Sequence, residues 1–330
     1  MPDSIISDSL RNSVQAKLQQ TWINRSPWFD LLNRNKRIQK RAGDRLEVKY
    51  TFDDTDGYSF GPDSEIEATS KGEVVTAIYD WGAFARDDKQ LGWYQENQGA
   101  MGKFDSGTVR DILLTRIDNG KSKFFQNFNT RLWRGAGTPY NGGDGRDFLG
   151  VEQFVPDNPA VGSVGGLSRV TYDELRPQQL DGTDGDSGDW DNDCWELLLR
   201  LRVACENKPM AWGEQSKPDV CYAPQGAMTD IIKLAYNQNT SVGSRVEDID
   251  NVGGVFVELN DAIQGNRVYL LSSKTWSYYY PEGCESVIEL DIRSELEKRM
   301  NPKDTVIIWR ARGSQICDWA PQNGIITTAA

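Results

Sequence analysis

The apolar positions change period along the chain, and each change predicts a different element. Ile6, Leu10, Val14 and Leu18 recur every fourth residue, the stripe of a short amphipathic helix. Ser26 before Pro27 predicts a second helix start, with a side-chain cap worth about 1 kcal/mol and a preset φ. From Arg45 the period falls to two: Leu46, Val48, Tyr50 and Phe52 alternate with polar residues, and a second extended run spans Glu73 to Ala85. The stretch between them, DDTDGYSFGPDSEIEATSKG, is rich in turn formers. The two runs therefore predict a long hairpin whose arms rise ~3.3 Å per residue. A lone two-stranded hairpin is marginal in water, so it must lean on a body or on another molecule. The first 90 residues thus carry apolar stripes with no globular core of their own, the pattern expected of surface covered by other copies of the chain.

Further on, Val109, Ile112, Leu113, Ile117, Phe124, Phe128 and Leu132 fall near helical spacing. They predict a long helix over 104–133, capped by Asp105 or Ser106, with Gly120 placed to bend or interrupt it. Asp193 and Glu196 form an N-cap and third-position pair opening the helix CWELLLRLRVACEN. PDVCYAP then predicts a short strand closed by Pro224, followed by a helix over 225–237. Helix, strand, helix in this order argues for a mixed α/β module. GGVFVEL, RVYLLSS, TWSYYY and TVIIWRARGSQICDW read as strands, and the last of them is expected to return to the body that holds the long helix.

Composition narrows the chemistry. The 330 residues suffice for about two domains. A hydrophobic content of 38% with a mean hydropathy of -0.60, and no apolar run near ~20 residues, argue against a membrane span. MPDSIISDSLRNSVQ lacks the basic flank and apolar core of a secretory signal, so a cytoplasmic product is expected. The sequence holds no histidine, which removes the usual neutral-pH base, the Ser-His and Cys-His nucleophile systems and the commonest zinc ligand. Cys194, Cys205, Cys221, Cys284 and Cys317 include no C-x-x-C pair and read as buried, reduced thiols.

Charge is unevenly placed. Residues 1–49 hold ten Lys/Arg and five Asp/Glu, which leaves 27 against 44, or -17, for residues 50–330. The cationic cluster is RNKRIQKR, Arg34 to Arg41, suited to a polyanion, to an acidic partner surface or to plain solvation.

Two stretches invite a binding-site reading. In GSVGGLSR, Gly162, Gly165 and Gly166 precede Leu167, Ser168 and Arg169, without the Lys of a phosphate loop; Gly143 and Gly145 reach Phe148 where a dinucleotide motif needs its third glycine. GSVGG is therefore expected to be a flexible connection. In DGTDGDSGDWDND, Asp181, Asp184, Asp186, Asp189, Asp191 and Asp193 offer oxygens, yet no register completes a calcium loop: from Asp189, Cys194 stands where Gly belongs and Arg200 where the bidentate Glu belongs. No catalytic, cofactor-binding or metal-binding residue is assigned.

The order of elements resembles the major capsid proteins of tailed bacteriophages, with the Hong Kong 97-type fold. The resemblance rests on VVTAIYDWGAFARDD before the long helix, FLGVEQFV, VGGLSR, the strand-Pro-helix unit PDVCYAPQGAMTDIIKL, and the closing strand followed by Ala320, Pro321 and Gly324. It implies an α+β fold divided into an N-terminal arm (1–44), an extended hairpin loop (45–90), a peripheral domain with a long spine helix (91–169), an axial domain (170–264) and a return to the peripheral domain (265–330). It implies a structural, non-enzymatic subunit, without cofactors, that self-assembles into pentamers and hexamers of an icosahedral head. The head would enclose double-stranded DNA held non-specifically, form in the host cytoplasm, and take scaffold, portal and decoration proteins as further partners, with no membrane. The chain opens almost directly on the arm, so a scaffolding segment is expected to be separate or already removed. Lys71 is one candidate for a covalent crosslink, with no partner indicated.

Two other readings remain. A carbohydrate-active enzyme or lectin would use the Asp- and Trp-rich surface, with Asp189 and Asp191 beside Trp190, and glycosidases need no histidine. A cellular nanocompartment would keep the shell fold with a different content.

Overall fold

A computed structural model of the chain describes residues 26–52, 73–88, 106–135, 148–181, 190–208, 217–242, 251–252, 255–265, 267–284, 286–293 and 306–327. The helix predicted over Ile6 to Leu18, the hairpin tip with Lys71, and Asp184, Asp186 and Asp189 lie outside the described residues. In chain order the elements are α1 (Pro27–Arg34), β1 (Ile38–Arg41), β2 (Leu46–Phe52), β3 (Glu73–Tyr79), β4 (Gly82–Asp88), α2 (Ser106–Arg134), α3 (Val151–Phe154), β5 (Ser163–Val164), β6 (Leu167–Ser168), β7 (Gln178–Asp181), α4 (Trp190–Glu206), β8 (Val220–Ala223), α5 (Gln225–Val242), β9 (Asn251–Val252), β10 (Val255–Leu259), β11 (Arg267–Leu271), β12 (Trp276–Pro281), β13 (Ile288–Arg293), β14 (Val306–Cys317) and β15 (Gly324–Thr327). They fall into two units, the first drawn from Met1–Gly43, Trp81–Val151 and Tyr278–Gln315, the second from Asp44–Asp80, Glu152–Ser277 and Ile316–Ala330.

The first unit is built on a five-stranded sheet in the order β1-β12-β14-β13, with β4 also paired to β14. β14 runs antiparallel to both β13 and β4, with Ala311 opposite Ile288 and Phe84. The C-terminal half of α2 packs on this sheet through aromatic rings. Phe124 lies 5.1 Å from Phe84 and 6.0 Å from Trp309, and Phe128 lies 5.6 Å from Phe148, centroid to centroid. Gly120 does not interrupt the helix: it is buried beside the Trp309 indole nitrogen, and the helix runs unbroken to Arg134. The α2 side chains before Asn119 lie outside the described residues.

α1 closes the other side of this aromatic core. Trp28 and Phe29 bury fully against Trp133, Phe128 and Tyr278, and each such side chain contributes about 2 kcal/mol. The Trp28 indole donates to Gln315, whose amide donates in turn to the Leu132 carbonyl. Ser26 departs from its expected role: its hydroxyl donates to Asn129 at 3.0 Å instead of capping α1, because the neighbouring helix offers a side-chain acceptor.

The second unit holds a six-stranded mixed sheet in the order β7-β15-β11-β8-β10-β9. β8 and β10 are parallel and joined through α5, the expected strand-Pro-helix crossover. α4 and α5 cover one face, burying Leu197, Leu198, Leu201 and Ile231 against Cys221, Val257, Val268, Leu270 and Ile326. The backbone of α4 breaks at Asp193 (φ -127°), where the cap was expected, while Glu196 pairs with Arg200 at 2.6 Å. Buried Asn323 ties the closing segment in: its carbonyl accepts from the Ser272 amide and the Trp276 indole, and its amide donates to Thr275 and to the Trp319 carbonyl. The stretch 265–330 is divided, with β13 and most of β14 in the first unit and β11 and β15 in the six-stranded sheet.

Candidate functional site

The predicted hairpin forms, with Leu46 opposite Tyr79 and Phe52 opposite Glu73. Its second arm is shorter than the run from Glu73 to Ala85 suggested. The extended chain breaks at Asp80 and Trp81, and β4 leaves for the five-stranded sheet, held at its start by a hydrogen bond from the Trp81 indole to the Gly43 carbonyl at 2.9 Å. One face of the root carries Leu46, Tyr50, Ala77 and Tyr79, all buried. The Tyr50 hydroxyl donates to the Cys317 carbonyl at 3.0 Å and lies 3.1 Å from the Tyr79 hydroxyl. Burial, first of all, lifts both phenols above their ordinary pKa.

The GSVGG stretch is where this root rests, and it is not slack. Ser163 and Val164 pair with Ser168 and Leu167 across a two-residue turn, in which Gly165 (φ +56°) and Gly166 (φ +83°) take the left-handed conformation of a tight hairpin. The Gly165 carbonyl accepts the Ile78 amide at 3.0 Å. A Cβ on Gly165 would fall 2.7 Å from both the Ala77 Cβ and the Tyr79 ring, so the missing side chain is what lets the root approach.

Arg169, the one cation of VGGLSR, is buried and turned inward. Its guanidinium donates to the carbonyls of Gln153, Phe154 (3.2 Å), Val161 and Leu175 (both 3.4 Å), and burial holds its pKa below the ordinary value. It therefore staples the segment after α3 and is not presented to a phosphate.

The carbohydrate reading loses its platform: Trp190 is buried in the α4 core beside Cys194 and Leu197. Asp181 ends β7, Asp193 sits at the α4 break, and the side chain of Asp191 lies outside the described residues. Among the described residues no three His, Cys, Asp or Glu side chains gather as a metal would need, and no helix is long and apolar enough to cross a membrane. All five cysteines are free and buried, and burial pushes the thiols of Cys205 and Cys221 up to about 12.

Among the described residues, the apolar surface left open is not where periodicity located it. The stripes of α1 and of the hairpin root are buried within the chain, because the α2 aromatics and the Gly165 turn receive them. Exposed instead are Val74 and Ile78 on the outer face of the root, Leu199 and Val203 one turn apart on α4, and Phe256 and Leu259 on β10. The second half of the RNKRIQKR cluster, Ile38–Arg41, is β1, an outer strand whose last three side chains are exposed, while Arg34 ends α1.

This arrangement of helices and sheets extends over nearly all of a phage shell subunit. The structure of the cyanophage A-1(L) capsid asymmetric unit matches at a TM-score of 0.66 and 14% identity, covering 92% of each chain. The chain has the Hong Kong 97-type capsid fold. The capsid fold also matches the capsid of a native GTA particle at a TM-score of 0.55 and 11% identity, over 91% of this chain and 90% of that one. It matches the holo-SrpI encapsulin complex from Synechococcus elongatus PCC 7942 at 0.51 and 12%, over 92% and 88%. No family model matches the sequence. No curated protein matches it either. At such low identity the capsid fold is shared as a backbone path, and the residues that give this chain its contacts are read from its own geometry.

Proposed function

We propose that the chain is a major capsid protein, the structural subunit that self-assembles into pentamers and hexamers of an icosahedral phage head around double-stranded DNA. The observation that carries this reading is a capsid fold matched over 92% of this chain and 92% of a cyanophage capsid chain. On this reading residues 1–44 are the N-terminal arm and 45–90 the extended loop, with a root fixed by Tyr50, Tyr79 and Gly165. The peripheral domain takes 91–169, with α2 as its spine, the axial domain takes 170–264, and 265–330 returns toward the periphery except where β11 and β15 join the six-stranded sheet. The work is mechanical: the exposed apolar positions on the hairpin, α4 and β10 supply surface for neighbouring copies. The subunit is assembled in the host cytoplasm, resides in the virion, needs no catalytic centre, and takes scaffold, portal and decoration proteins as further partners.

Sedimentation velocity across a concentration series, with negative-stain microscopy, tests the reading. Closed shells or capsomer rings are the expected result; a compact monomer that cleaves or binds an oligosaccharide overturns it. A compartment for protein cargo is a second reading, favoured by the fold shared with the SrpI encapsulin. Nuclease-protected DNA inside isolated particles supports the head, and a protein filling supports the compartment.

A further inference from the structure

The reading as a genome-enclosing shell leaves open where an acidic subunit meets DNA. β1 is the outermost strand of the five-stranded sheet and pairs parallel with β12, Ile38 opposite Tyr278 and Arg41 opposite Pro281. Lys36, Gln39, Lys40 and Arg41 are exposed, and Arg37 is partly so. Two of the cations are held against tyrosine rings of β12. The Lys40 ammonium lies 5.7 Å from the Tyr280 centroid, and the Arg41 guanidinium 5.0 Å from that of Tyr279. A cation held near an aromatic ring keeps its full positive charge, so the rings order these two side chains at the strand edge. Adjacent strand residues point to opposite faces, so Lys40 and Arg41 flank the sheet edge, one on each side.

We propose that this edge, Arg37 and Lys40–Arg41 backed by Tyr279 and Tyr280, is the strip that contacts the phosphodiester backbone of duplex DNA, independent of sequence. Charge favours contact there among the described residues, because residues 50–330 carry a net -17, which repels a polyanion. Elsewhere many described cations are already neutralised: Arg176 by Asp173, Arg200 by Glu196, Arg202 by Glu206, Lys233 by Asp230, and Arg267 by Glu152 and Asp157. Arg34 is likewise held by Asp30. Lys36, Arg37 and Lys40 form no ion pair with any described residue. The acidic surface of a second copy is the other occupant that this charge would suit, and the assembly readout of the test separates the two.

The test compares full-length wild type with Arg37→Gln/Lys40→Gln/Arg41→Gln and with a control, Lys208→Gln/Lys217→Gln/Lys274→Gln, which removes equal charge at exposed positions elsewhere. Binding of unassembled protein to a short random-sequence duplex is followed by anisotropy over a salt series, and assembly of the same samples by microscopy. Three phosphate contacts contribute about 2.7 to the slope of log K against log salt, or about 40-fold in affinity between about 50 and 200 mM. The β1 variant is expected to lose that share of the slope and the control to keep it. If the triple variant misfolds by circular dichroism, Lys40→Gln and Arg41→Gln singly are each expected to lower the slope by about 0.9. An unchanged slope in the β1 variant, or no DNA binding by wild type, overturns the proposal. Intact DNA binding with lost assembly also overturns it, and makes the strip a contact between copies. If wild type binds DNA through β1 yet never forms particles, the strip stands and the shell reading falls.

Discussion

Two neighbouring glycines share one conformation but not one environment, and that contrast tests how the extended hairpin is anchored. Gly165 and Gly166 both sit at positive φ, so alanine at either costs about 1–2 kcal/mol of left-handed strain. At Gly166 the new methyl meets nothing within 4 Å. At Gly165 it meets Ala77 and Tyr79 at 2.7 Å, and β3 must shift to admit it, at a further cost of about 1–3 kcal/mol. The local reporter is the Ile78 amide, which donates to the Gly165 carbonyl. Its hydrogen exchange is expected to run about 5- to 150-fold faster in Gly165→Ala than in Gly166→Ala, the rate equivalent of that extra cost. Equal protection in the two variants would show that the root does not rest on this turn.

Other substitutions and pH probe different supports. Arg169→Met removes a buried donor from four backbone carbonyls and is expected to destabilise by about 3 kcal/mol in urea titration, with Arg169→Lys failing to rescue because one ammonium cannot replace the fork. Trp28→Ala removes a fully buried ring and its bond to Gln315, at about 3–5 kcal/mol by the same measurement. In alkali, Cys205 and Cys221 hold their protons up to about 12 against an ordinary 9.0, and Tyr50 and Tyr278 are raised well above 10.0, burial being the main cause. The unfolded chain loses these protons first, so their stabilising share is full below pH 9 and is lost as pH rises through 9 to 12. Melting temperature should fall over that range with thiol labelling following it; rapid labelling of Cys205 or Cys221 in the native protein at pH 8 would contradict the burial.

Local signals in the sequence carried far, and long-range pairing set the limit. The two-residue period of Leu46 to Phe52, the helical stripe of Phe124 to Leu132, and Pro224 between β8 and α5 each depend on neighbours in the chain, and each element formed. What covers an element depends on residues far away. The α1 stripe read as unprotected because Phe128, Trp133 and Tyr278, which bury it, are about 100 to 250 positions distant. GSVGG read as slack because its turn becomes specific only when Ala77 and Tyr79 close on Gly165. The basic cluster was visible, but its tyrosine backing came from a parallel partner roughly 240 residues on, which no local pattern announces. β13 was missed although Ile288, Leu290 and Ile292 alternate with Glu289, Asp291 and Arg293; what makes it part of the sheet is its pairing with β14, which lies beyond the reach of a local pattern.

Cryo-electron microscopy of purified, concentrated protein tests the account most directly. It predicts closed particles of five- and six-membered rings, with the fold of this chain fitting each subunit density and Val74, Ile78, Leu199 or Phe256 covered by neighbouring copies. Protein that stays monomeric at every concentration and salt, with those positions open to solvent, would contradict it.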